Sequence, residues 1–194
     1  MLHRTHSCVG IIAVIALLTT AMHGNSAPEQ KLDAKRNLIV FVGKKVNVVE
    51  QPAEENSWDV KFEARFRILQ RVYGRYDEPE ITFTVYDHYG VPGFAKYDTV
   101  LMFVVRSEGK FYHLKYQFVP VYRTENARWA SCGDAAQWNY GAYEYDPKLK
   151  PVSIKFADKV PAEADGRPCT EGNYVEDLFS LKRDSILKRQ GWVF

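Results

Sequence analysis

The 194-residue chain carries 26 basic and 24 acidic residues for a net charge of +2, a balance without the electrostatic footprint of a nucleic-acid-binding protein. Aromatic residues make up 14% of it, which favours β-structure over a helical bundle. Its three cysteines show no CxxC spacing and no clustered histidines, so the sequence implies no metal and no cofactor.

Arg4, the apolar run Val9 to Leu18 and the small and polar "TTAMHGNSAP" that follows predict a secretory signal peptide over residues 1–27. Its apolar core is too short to span a bilayer stably. Cleavage after Ala21 fits the small-residue rule, whereas Pro28 disfavours cleavage after Ala27. An uncleaved anchor is the alternative. No second long apolar run follows, so residues 28–194 are expected to form a single domain without a stable membrane span, secreted or periplasmic. Cys132 and Cys169 remain after cleavage, and in an oxidising compartment they are expected to pair. Closing that loop would contribute about 4 kcal/mol in the chain-entropy picture.

Asn37 to Glu50 opens as a buried run, Leu38 to Val42, is broken at Gly43 and then alternates, which predicts a strand with a bend. In "VKFEARFRI", Val60, Phe62, Ala64, Phe66 and Ile68 alternate with Lys61, Glu63, Arg65 and Arg67; period two means one buried and one wet face. Ile81, Phe83 and Val85 repeat the pattern. Thr99 to Val105 is apolar on both faces and reads as a central strand. "RSEGK" predicts a hairpin turn with Gly109 at positive φ. The return strand alternates Tyr112, Leu114, Tyr116 and Phe118 against His113, Lys115 and Gln117, placing His113 on the polar face. The expected fold is mostly β: a five-stranded antiparallel OB-like barrel.

Val46 and Val48 closing the first strand, Tyr73–Gly74 closing the second, and the apolar Leu101 to Val105 together resemble the strand series of netrin-type modules, the family of the tissue inhibitors of metalloproteinases, over about residues 37–120. Those inhibitors begin with a Cys whose amine and carbonyl bind the catalytic zinc. No Cys stands at the expected mature start here, so the resemblance implies the barrel and not the inhibitory mechanism.

The last third differs in texture. "ARWASCGDAAQWNYGAYEYDPKLKP" reads as loop, and "SIKFADKVP" as one short strand. Residues 174–190 read as a helix packed on the barrel, with Asn173 and Glu176 at capping-box spacing and Val175, Leu178, Phe179, Ile186 and the Lys182 stem along one stripe.

Two sets of residues are candidates for chemistry. Asp87, His88 and His113 would serve a small hydrolase or a metal-dependent enzyme, but adjacent strand residues point to opposite faces, and Asp87 equally suits a turn that ends a strand. Trp129, Trp138, Tyr140, Tyr143 and Tyr145 lie in the loop-rich region, where aromatic rings with polar tips suit recognition of a protein or glycan. No G-x-S-x-G, H-E-x-x-H or Gly-rich phosphate loop occurs. The leading expectation is a secreted or periplasmic, non-enzymatic module that binds a protein partner. The hydrolase and a structural envelope component are the alternatives.

Overall fold

A computed structural model describes residues 37–52, 57–138, 149–161 and 168–193. Strands β1 (Leu38–Glu50), β2 (Val60–Tyr73), β3 (Glu80–Asp87), β4 (Thr99–Ser107) and β5 (Lys110–Pro120) close into a barrel in the order β1-β2-β3-β5-β4. Four of the five pairings are antiparallel. The barrel closes through a parallel β3–β5 contact at Thr84 and Tyr112, so the sheet is mixed where a purely antiparallel one was expected. Alternation along a strand reports which face is buried and is blind to the direction of the neighbour.

The barrel interior is filled from every strand. Phe41, Phe62, Phe66, Ile81, Phe83, Met102 and Val104 meet there with Phe94, which enters from a 3-10 turn at Gly93–Lys96. Phe66 lies 5.7 Å from Phe83 and 5.8 Å from Phe94, centroid to centroid. Each such ring taken fully from water contributes about 1.5–3 kcal/mol. The charged residues of β2 alternate outward as its period requires.

β4 is buried on both faces because each has a different cover. Val100, Met102 and Val104 point into the barrel, whereas Leu101, Phe103 and Val105 point outward, under helix α1 (Val175–Lys182) and its continuation. Val175, Leu178, Phe179, Ile186 and Leu187 supply the facing side. A π-helical turn at Arg183–Leu187 follows α1, and within it the consecutive Ile186 and Leu187 are both buried. The capping box does not form. Tyr174 is the N-cap and makes no side-chain cap; Asn173 is buried and donates to the Lys150 carbonyl, and Glu176 pairs with Arg128 at 2.8 Å. Lys182 is buried to its ammonium, not only along its stem.

β1 bends where expected. It pairs with β4 over Leu38 to Lys44 and with β2 over Val40 to Glu50, with register shifts that include one at Val42/Gly43. A Cβ on Gly43 would sit 2.6 Å from the Phe41 ring. At the β4–β5 hairpin Glu108 and Gly109 both have positive φ, the backbone of a two-residue turn matched to strand twist.

The segment after the barrel holds more strand than the loop expected of it. β6 (Tyr122–Arg123) pairs with β7 (Trp129–Ala130), and β8 (Val152–Ser153) pairs with β9 (Glu171–Gly172). A disulfide joins Cys132 to Cys169 with Cα atoms 5.9 Å apart, as the cysteine count predicted. No described helix is long and apolar enough to cross a membrane. The predicted signal segment, residues 1–27, lies outside the described residues.

Candidate functional site

The alternation of β5 fails in its middle, and that failure builds the site. Val104 pairs with His113 and Met102 with Phe118, so the single residue Phe103 faces four residues of β5, 114–117. Tyr116 reaches φ +64° within this bulge. A non-glycine residue held there costs on the order of 1–3 kcal/mol and calls for support from its surroundings. The bulge brings His113 and Phe118, which simple alternation puts on opposite faces, onto the same inward face as Val104 and Met102. The polar-face position expected for His113 is therefore incorrect: its ring lies 5.0 Å from that of Phe94 and 6.4 Å from that of Phe83.

Between the bulge, the end of β3, the 3-10 turn at Gly93–Lys96 and a second 3-10 turn at Ala135–Trp138 lies a pocket of about 330 Å³. Its lining comprises Asp87, Tyr89, Val91, Gly93, Phe94, His113, Tyr116, Phe118, Gln137 and Trp138. Phe118 touches both Phe94 and Trp138, at centroid distances of 6.0 and 6.3 Å, and Tyr89 stands 6.4 Å from Tyr116. Tyr89 and Val91, at 79% and 71% exposure, form an apolar rim that packing does not require.

The polar groups of the pocket have distinct roles. Asp87 is 8% exposed, and its Oδ1 accepts the backbone N–H of Tyr89 at 2.9 Å. That is the turn-capping role its position suggested, and the same carboxylate lines the pocket. His113 Nε2 lies 3.2 Å from the Gln117 carbonyl; burial lowers its pKa to about 4, against the opposing pull of that hydrogen bond, and leaves the ring neutral at physiological pH. The Trp138 indole nitrogen is buried and finds no hydrogen-bond partner among the described residues. Behind the wall, the Lys182 ammonium reaches Gln117 Oε1 at 2.8 Å and the Trp138 carbonyl at 2.6 Å, tying the bulge to the second 3-10 turn. Burial pulls the pKa of this ammonium down to about 7.

The Asp87, His88 and His113 grouping is not assembled. Asp87 and His113 share the pocket, but His88 turns outward, its Nδ1 3.5 Å from Asp59 Oδ1. Asp59 Oδ2 also receives the Lys115 ammonium at 2.8 Å, and that hydrogen bond, more than any other influence, holds the Asp59 pKa below its ordinary value. Among the described residues no cluster of three or more His, Cys, Asp or Glu could hold a metal.

Of the aromatic candidates, Trp138 lines the pocket. Trp129 does not: it sits on β7 beneath the Arg123 guanidinium, 5.1 Å from its ring centroid, against the core under the helix. Tyr140, Tyr143 and Tyr145 lie outside the described residues. Sequence reasoning missed Tyr89, Val91 and Phe94 as lining residues. Their signal was present in "YGVPGF", where apolar side chains fall among turn-forming Gly and Pro, so the chain changes direction with those side chains at its surface or plugging the barrel.

A second depression of about 460 Å³ mixes Lys44, Lys96 and Lys159 with Asp98 and Asp158, and Asp158 already accepts the Arg123 backbone N–H. Its charges offset one another, and it offers no single-sign site.

Comparison with protein-family models, curated proteins and solved structures gave no match to this chain.

Proposed function

We propose that the protein is an exported, non-catalytic binding module that recognises a protein partner through the pocket beside the β5 bulge. The observation that carries this reading is a concave, aromatic-walled site with Tyr89 and Val91 exposed at its rim. Pockets of this kind, with few polar groups in an apolar wall, are the usual places for a partner's anchoring side chain. A hydrolase is the poorer fit. His113 Nε2 is engaged by the Gln117 carbonyl, His88 faces Asp59 outside the pocket, and no Ser, Thr or Cys stands among the described lining residues. Export is supported by the basic and apolar start of the sequence and by the Cys132–Cys169 bridge, a bond that persists in oxidising compartments. The netrin-type resemblance is in keeping with an extracellular interaction module and supplies no inhibitory residue.

Affinity capture from the native extract tests the proposal, with Tyr89→Ala and Val91→Ala set against Arg65→Ala on the outer face of β2. Because Tyr89 and Val91 are largely exposed, the thermal transition should stay where it is. Partner recovery should fall about tenfold in both rim variants and hold in Arg65→Ala, as expected when an anchor is lost. Equal recovery across all three would overturn the assignment of the site.

A further inference from the structure

We propose that the pocket accepts the cationic end of an arginine or lysine side chain from that protein partner. The inference rests on the binding-module reading above and specifies its chemistry. Three features converge. Among the described lining residues Asp87 is the one charged side chain; it is nine-tenths buried and shares the lining with aromatic rings. A carboxylate in such surroundings is poorly hydrated, and a cation brought against it recovers the interaction lost with water. Five rings share that lining, those of Tyr89, Phe94, Tyr116, Phe118 and Trp138, whose π-systems attract a cation and favour arginine in particular.

The third feature is that no lysine or arginine stands among the described lining residues. His113 is neutral. Lys115 lies in the field of Asp87, but its ammonium donates to Asp59 Oδ2 and does not line the pocket. Lys182 is held behind the wall by Gln117 and the Trp138 carbonyl. The volume, about 330 Å³, is at the small end of the range for ligand sites and suits one side chain.

The test follows the Trp138 indole N–H by NMR, assigned with Trp138→Phe, during titration of the full chain. Two pairs of probes match shape and differ in charge: n-butylguanidinium against n-butylurea, and acetyl-Gly-Arg-Gly-amide against its citrulline counterpart. The charged member of each pair should give a saturable shift at millimolar concentration, at least tenfold tighter than its neutral partner. Asp87→Asn, which keeps an acceptor for the Tyr89 N–H, should erase that preference. Equal binding of charged and neutral probes would overturn the cation inference while leaving the pocket a binding site. No saturable shift with any probe would overturn both. Butylguanidinium binding tenfold more tightly than the arginine peptide would replace the protein side chain with a free organic cation and overturn the proposal as stated.

Discussion

Lys182 is the residue whose setting most exceeds its charge. It enters the apolar layer under α1, and among the described residues no carboxylate pairs with it; its ammonium meets an amide oxygen, a carbonyl and, 5.6 Å away, the face of Phe103. Burial lowers its pKa from 10.5 to about 7. The folded protein therefore holds this proton less tightly than the unfolded chain does. Between pH 7 and 10.5 the unfolded state carries more of the proton, so stability rises with pH through that window and the gain is lost as pH falls back toward 7. Denaturant unfolding at pH 7 and pH 9.5 should show the wild type gaining a few kcal/mol that Lys182→Met does not gain. Parallel pH dependence in the two proteins would place the ammonium in water. Asp87 shows a different economy at the same scale, since one carboxylate both closes the turn after β3 and supplies the charge of the pocket.

At the scale of the element, the glycines at two turns separate backbone strain from close approach. Gly74 and Gly109 share nearly the same φ, +79° and +77°, but a Cβ on Gly74 would lie 2.1 Å from the Leu38 carbonyl oxygen, whereas one on Gly109 meets nothing within 4 Å. Gly109→Ala should cost about 1 kcal/mol, the conformational term alone. Gly74→Ala should cost about 2–4 kcal/mol, because the ends of β1 and β2 must also part. Equal losses in chemical denaturation would remove the close approach from the account. Both glycines are prominent in the sequence, and so is β2, whose strict alternation gives its buried face directly. β4 was legible as central for the same reason, a run apolar on both faces. β5 was not. Alternation carries a face assignment only while each residue has one partner, and four residues set against Phe103 break that count without any Gly or Pro to announce it. The capping box failed for a related reason: Asn173 and Glu176 have the right spacing, but tertiary partners, the Lys150 carbonyl and Arg128, take their side chains.

For the molecule as a whole, two apolar layers share β1 and β4, one inside the barrel and one beneath the helix, and the pocket opens where the bulge interrupts their common wall. The fold was therefore largely readable from periodicity, whereas the site depends on one irregularity and on residues brought together from β3, β5 and two 3-10 turns. The inward turn of His113 is the point on which the site and its neutral ring both rest. NMR titration of the His113 ring tests it most directly. A midpoint near pH 4, with the ring still neutral at pH 6, is the expected result. A midpoint near 6.5, the value of a histidine in water, would return His113 to the wet face and contradict the pocket.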